Sequence, residues 1–357
     1  MTPITRAALI VGLTLALNGA AAAQVLPAAV RYAIPTENQL DSAYDREIAD
    51  FWRSAGPPQR FRGVRDVEIA YLTIPNPASD VGVVVLNGRT ESLIKYKETA
   101  YDLWRQGYSV YLLDHRGQGL SGRLLPDPLK GHVVLFDDYV ADFTTFMDTV
   151  VKPRRYRRLA ILAHSMGGAI ASLYLERRQN DFAAAVLSAP MHEPNTGRIS
   201  DDLACRAADL KALFGRSEQY ARRDAAPEAA GSFDAASSLT HSERRHAIAT
   251  REYDAQPEAK LGGPTFGWVA QACQGAAKAR RNAGLIRTPV LLLQAGADTV
   301  VTPDGQREFC DDMNKAQAGS CRLEPIPGAY HELLVEADEY RNSAIEMALD
   351  FIREHTR

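Results

Sequence analysis

No charge sign dominates this chain. It carries 41 Lys and Arg against 44 Asp and Glu, a formal net charge of −3. That balance gives no electrostatic reason to expect nucleic acid as a partner. The longest local excess, Lys152–Arg158, reads as a solvated helix end and loop. Beyond residue 24 no apolar stretch reaches the length of a membrane span. There is no internal repeat and no low-complexity tract, which excludes solenoid and fibrous classes. Cysteine is scarce, with four in 357 residues. None lies near the N-terminus, which argues against a lipoprotein anchor. No P-loop lysine and no full Gly-x-Gly-x-x-Gly accompanies the glycines after position 114, so a phosphate-binding loop is weakly supported there. What remains, 46% hydrophobic and 24% charged residues, is the balance of an ordinary globular chain.

The first residues do not read as part of the fold. Arg6 is a positive n-region, Ala7 to Leu17 is an apolar stretch too short to span a bilayer, and Ala21-Ala22-Ala23 offers a small-residue cleavage site. This pattern predicts a signal peptide over residues 1–23 and a mature protein that is periplasmic or secreted. Cys205, Cys273, Cys310 and Cys321 all fall in the mature part. An even count in an exported chain suggests disulfides, and four cysteines allow three pairings. The simplest is Cys205–Cys273 with Cys310–Cys321, each pair lying within one segment. Four buried free thiols are the alternative.

Apolar runs recur along the chain with helix-like segments between them. Val67–Ile74 alternates as an outer strand does. Val81–Leu86, Tyr108–Leu113, Leu159–Leu162, Ala183–Leu187, Pro289–Gln294 and Arg322–Ile326 are short and mostly apolar, as buried strands are. Leu93–Arg105, Tyr139–Val151 and Ala169–Arg178 have helical spacing, and Glu336–His355 reads as a closing helix. The order predicts an α/β fold with a mostly parallel central sheet and helices on both faces. Between Met191 and Ile286 the strand runs stop. That stretch predicts a helical cap insertion over residues 191–286, between core parts at 24–190 and 287–357. Leu210, Leu213, Phe214, Phe266 and Trp268 argue that it is folded rather than a linker.

Residues 162–168 read Leu-Ala-His-Ser-Met-Gly-Gly, between an apolar run and a helical stretch. This is a nucleophile elbow, a strand-turn-helix with Ser165 at its tip. The crowded turn needs small neighbours, which Gly167 and Gly168 supply. Ala163 stands where the usual pattern has its first glycine. The elbow implies an α/β-hydrolase fold, with the other catalytic groups following in the order Ser, acid, His. A serine hydroxyl needs a base, and the base an orienting acid. Asp298 follows the strand Leu291–Gln294 on a turn and is the expected acid. Asp304 and Asp311 are weaker candidates further along. His331, on the loop after the last strand, is the expected base. His355 lies in the tail, and His164 is expected to project away from the hydroxyl in a structural role. His115 and His132 have no assigned role.

The developing oxyanion needs N–H donors. Met166, next to the nucleophile, should supply one. The other should come from the loop Asn87-Gly88-Arg89-Thr90-Glu91-Ser92, where Gly88 permits an unusual turn and the Arg89 N–H is the expected donor, its guanidinium free to lie outward as a surface charge. The segment Asp114–Gly122 is read as architectural. No metal or organic cofactor is needed for this chemistry.

These motifs together resemble those of the bacterial lysophospholipases in the monoglyceride-lipase-like branch of α/β-hydrolases. The resemblance runs over roughly residues 60–355. It rests on Asn87–Ser92, Asp114–Arg123, Leu162–Ala169 and Gly328–Glu332, and within the insertion on Leu239-Thr240-His241-Ser242 and Gly262–Trp268. It implies hydrolysis of one acyl ester of a lysophospholipid or monoacylglycerol, with Ser165, Asp298 and His331 as triad and the Arg89 and Met166 N–H groups as oxyanion hole. It is compatible with transient contact at a membrane surface. The leader, the four cysteines and much of the stretch Asp201–Ser238 depart from the family's pattern. An amidase or peptidase on the same triad, a small-ester esterase, and a non-catalytic lipid-binding protein are the competing readings.

Overall fold

A computed structural model of the chain describes residues 31–196, 201–221, 233–234 and 238–357. The expected signal peptide at 1–23 lies outside the described residues.

Eight strands form one sheet. They are β1 (Gln59–Arg62), β2 (Glu68–Ile74), β3 (Val81–Leu86), β4 (Ser109–Leu113), β5 (Arg158–His164), β6 (Ala184–Ser188), β7 (Val290–Ala295) and β8 (Cys321–Ile326). Their order across the sheet is β1-β2-β4-β3-β5-β6-β7-β8. β2 pairs antiparallel with β1 and with β4, and every later pairing is parallel. The α/β class and mostly parallel sheet read from the sequence are therefore present. β1 was not anticipated: Gln-Arg-Phe-Arg is an exposed edge with no apolar run to mark it.

The sequence explains the burial of the central strands. Val81–Leu86 is buried at every position, and side chains alternate between the two faces. Val83 and Val85 join a cluster with Leu112, Leu162, Val186 and Leu293. Val84 and Leu86 join a second cluster with Ile161, Ala163, Leu187 and Leu292. In chain order the helices are α1 (Glu37–Ala43), α2 (Ala49–Ser54), α3 (Lys97–Arg105), α4 (Phe136–Phe146), α5 (Met166–Leu175), α6 (Asp201–Lys211), α7 (Glu243–Ala255), α8 (Phe266–Arg281), α9 (Pro303–Ala316) and α10 (Asp338–Thr356). The first cluster takes in Leu103 of α3 and Ile345 and Leu349 of α10. The second takes in Phe143 of α4, Ile170 of α5 and Phe309 of α9.

Helices α6, α7 and α8 lie between β6 and β7 in the chain. Tyr253 of α7 and Ala259 just after it join the first core cluster, and Trp268, Ala272 and Ala279 of α8 the second. Leu210, Leu213 and Phe214, among the apolar positions that argued against a linker, are not themselves packed. They are 53%, 80% and 74% exposed, whereas Ala208 and Trp268 are buried. Helix α6 packs against α8, and the Cys205–Cys273 disulfide joins the two. A second disulfide, Cys310–Cys321, joins α9 to β8. No described helix is long and apolar enough to cross a membrane.

Candidate active site

Strand β5 ends at His164, and the chain turns at Ser165 into α5. Ser165 takes φ +50°, ψ −118°, a conformation that costs an L-residue on the order of 1–3 kcal/mol. The turn is held on both sides of the residue: its N–H donates to the Ser188 carbonyl at 3.0 Å, and its carbonyl accepts from the Met191 N–H at 2.9 Å. Gly167 is required by space. A Cβ there would lie 2.6 Å from the Leu86 and Asn87 carbonyl oxygens. The elbow is thus pressed against the end of β3.

The other two expected groups converge on this turn from the ends of β7 and β8. The Ser165 hydroxyl donates to His331 Nε2 at 2.9 Å, and His331 Nδ1–H donates to Asp298 Oδ2 at 2.7 Å. An ionised carboxylate only accepts, so the Nδ1 proton is fixed and Nε2 is left as the basic nitrogen. The second oxygen of Asp298 accepts from the Val300 and Val301 N–H groups at 2.7 and 3.1 Å. Burial alone would raise this carboxyl, but His331 and the two N–H groups bring it below its ordinary value. Asp304 and Asp311 are exposed on α9, and His355 bonds the Phe351 carbonyl within α10.

His164 does not touch the hydroxyl, as expected, but it faces the site. Its ring centroid lies 4.8 Å from that of His331, and its Nδ1–H donates to the Ser188 carbonyl at 3.0 Å. Burial pulls it down to about 4, against the attraction of Glu91. It is therefore neutral at pH 7 and does not repel a protonated His331. His115 is buried against the Asn87 carbonyl at 3.2 Å, and His132 bonds Thr265 at 2.9 Å. Both support loops around the site.

The loop after β3 differs from expectation in two respects. Gly88 is not in the left-handed region, where Thr90 is found instead at φ +64°. What Gly88 supplies is room: a Cβ would meet Glu91 Oε2 at 2.9 Å, and His164 Cδ2 and Ser165 Cβ at 3.1 Å. The Arg89 guanidinium is no outward surface charge. It donates to the Gly262 carbonyl at 2.6 Å and lies 4.8 Å from the Trp268 ring centroid. Met166 opens α5, so its N–H belongs to the helix end whose amides have no partner within the helix.

A buried polar frame fixes this loop, and sequence reasoning did not find it. Glu91 accepts from the Gly88 N–H at 2.5 Å, from Tyr96 at 2.6 Å and from Lys95 Nζ at 2.7 Å. Lys95 also reaches Glu332, next to His331, at 2.5 Å. Burial would raise the Glu91 carboxyl, but Lys95 and His164 hold it down at about 2. Asp114 accepts from Asn87, Ser92 and the Leu93 and Leu120 N–H groups. Gln118 donates to the Gly88 carbonyl at 2.7 Å and the Glu91 carbonyl at 2.9 Å. The architectural role read for Asp114–Gly122 is thereby specific: it carries the loop beside Ser165. The available signal was the acid three positions beyond Gly88 and the glycine-rich turn bearing Asp114.

A family model described as serine aminopeptidase, S33, matches residues 78–338. Among curated proteins, the lysophospholipase L2 of Escherichia coli K12 is 37% identical over 317 residues, spanning 86% of this chain and 90% of that one. The probable lysophospholipase L2 of Haemophilus influenzae is 32% identical over 300 residues, 83% and 92% of the two chains. The monoacylglycerol lipase of Mycolicibacterium smegmatis is 28% identical over 282 residues, 78% and 91%. Among solved structures, the monoglyceride lipase of Saccharomyces cerevisiae in complex with a substrate analog superposes with a TM-score of 0.67 at 20% identity, covering 84% of this chain and 95% of that one. Its fold, an α/β-hydrolase, is the fold of this chain.

Proposed function

The chain belongs to the serine aminopeptidase S33 family, in the lysophospholipase- and monoacylglycerol-lipase-like branch of α/β-hydrolases, and is a carboxylic ester hydrolase; from that premise we propose that Ser165, His331 and Asp298 are its catalytic triad. The observation that carries this reading is the continuous hydrogen-bond line from the Ser165 hydroxyl through His331 to Asp298, at 2.9 and 2.7 Å. Ser165 attacks the ester carbonyl while His331 takes its proton. The N–H groups of Arg89 and Met166 stabilise the oxyanion. His331 then protonates the departing alcohol, and the acyl group remains on Ser165. A water molecule that gives its proton to His331 releases the fatty acid. Asp298 holds the imidazole tautomer and stabilises its charge.

The substrates we propose are single-chain lipid esters, lysophospholipids or monoacylglycerols. This reading draws on the relatives' named activities and on an insertion that packs over the loop beside Ser165 through Gly262 and Trp268. We also propose export, with removal of residues 1–23; two disulfides are compatible with an oxidising compartment.

The test is a substrate panel on the purified mature protein and its Ser165→Ala variant. Lysophosphatidylcholine, lysophosphatidylethanolamine, monoacylglycerol, diacyl phospholipid, short p-nitrophenyl esters and aminoacyl anilides are compared. Release of fatty acid from the single-chain lipids should fall by about 10⁴-fold or more in the variant. Near wild-type turnover by a folded Ser165→Ala protein would discard the triad. Preference for the anilides would move the assignment to a peptidase.

A further inference from the structure

Glu336 lies between the His331 loop and α10, and it is wholly buried. Its Oε1 accepts from the Tyr330 N–H at 2.8 Å and from His241 Nδ1 at 2.7 Å. Its Oε2 accepts from the His241 N–H at 2.7 Å, the Ala337 N–H at 2.8 Å and the Thr240 hydroxyl at 3.1 Å. Its own carbonyl accepts from Arg245 at 2.7 Å, and Arg245 is itself forked onto Glu98 of α3. One residue therefore joins the last loop of the core to the segment 240–245, its carboxylate through Thr240 and His241 and its carbonyl through Arg245.

The segment touches the base loop on both sides of His331. Tyr330, one residue before, is held by Glu336, and its ring lies 3.6 Å from the His241 ring in a stacked arrangement. Glu332, one residue after, donates its N–H to the Leu239 carbonyl at 2.9 Å. The sequence motif Leu239–Ser242, so far only a mark of kinship, thus brackets the base. We propose that Glu336 is a positioning residue for His331, and that through it the 239–242 segment of the insertion sets the geometry of the base. The proposal rests on the reading of His331 as base.

The chemistry makes the link sensitive to a single atom. Replacing one carboxylate oxygen by NH₂ presents a donor to N–H groups that cannot move away, since they belong to the backbone on either side. A displacement on the order of 1 Å in a reacting group costs about 10²-fold in rate.

The experiment measures labelling of Ser165 by a fluorophosphonate in wild type, Glu336→Gln and His241→Phe, together with the downfield proton resonance of the His331–Asp298 hydrogen bond. Loss of folded protein lowers the fraction labelled and leaves the rate constant alone, whereas a misplaced base lowers the rate constant itself. Glu336→Gln should lower that rate constant by about 10- to 100-fold and shift or broaden the resonance. His241→Phe keeps the ring on Tyr330 but drops the Nδ1 bond, and should give a smaller fall of several-fold with the resonance displaced. If Glu336→Gln does not fold, His241→Phe decides. A folded variant labelled at the wild-type rate with an unmoved resonance overturns the positioning role. Wild-type protein that is not labelled at Ser165 overturns the triad instead, so the two failures are distinct.

Discussion

Ser165 is held in an unfavourable backbone conformation by its neighbours, and Gly167 is the neighbour with least freedom. The atoms a side chain would meet there are the Leu86 and Asn87 carbonyl oxygens at 2.6 Å, which belong to the strand and loop that frame the site. Gly167→Ala should therefore destabilise the protein by about 1–3 kcal/mol and depress activity more than stability, because relief of the clash moves the loop beside Ser165, the proposed nucleophile. Urea unfolding and ester turnover on the same preparation check both. At this scale the sequence was readable where chemistry follows a strand. Ser165 and Asp298 each sit just beyond an apolar run, His331 lies on the loop after the last strand, and the structure brings the three side chains together. Glu91, Lys95, Asp114 and Glu336 were not readable, because a buried carboxylate and a surface one are the same letter. Some of their partners are remote, as Lys95 and Glu332 show across 237 positions. Gly88 was noticed for the wrong property: its role is the space it leaves, and space depends on what packs against it.

Among the elements, the two disulfides do different work. Cys310–Cys321 closes a short loop, with a separation of 11 residues, between α9 and β8 beside the strand that leads to His331. Cys205–Cys273 spans 68 residues and ties α6 to α8. Loop-closure entropy assigns them about 3 and 4 kcal/mol respectively. Denatured, unreduced protein should show no titratable thiol, and four thiols would remove both bonds from the account. Replacing each pair by Ala in turn should lower stability in that order of size. The strands were legible from their apolar runs, but the edge strand β1 and the short helices α1 and α2 were not, since edges and surface helices bury too little to leave a continuous pattern. Helix α6 shows the converse. Leu210, Leu213 and Phe214 are apolar in the sequence, yet α6 buries Ala208 while Leu210 and, in the turn after the helix, Leu213 and Phe214 are exposed.

For the molecule as a whole, the buried histidines set a response to acid. Burial brings His115 and His164 down to about 4 and His192 to about 3. The folded values lie below the unfolded value near 6.5, so the unfolded chain binds the protons first. Each contributes stability that is complete above pH 6.5 and is lost as pH falls toward its folded value. Asp114 and Asp102, both raised by burial to about 6, act in the opposite sense below that pH. One residue can be isolated by difference. His192 stacks on Phe309 with ring centroids 3.9 Å apart and bonds Ser172; His192→Phe keeps an aromatic ring there and removes the titration. Its unfolding free energy between pH 6.5 and 4 should decline less steeply than that of wild type, by up to about 1.4 kcal/mol per pH unit. Parallel curves would place His192 outside the acid response.

The order of the strands has a consequence for how this molecule is made. Ser165 belongs to the fifth strand's turn, whereas Asp298 and His331 follow the seventh and eighth, with helices α6 to α8 threaded between. A chain emerging from the ribosome carries this serine through more than a hundred further residues before the acid and base proposed to activate it exist. On the proposed triad, the chain would stay inactive until its last strand and the loop that follows it have been made.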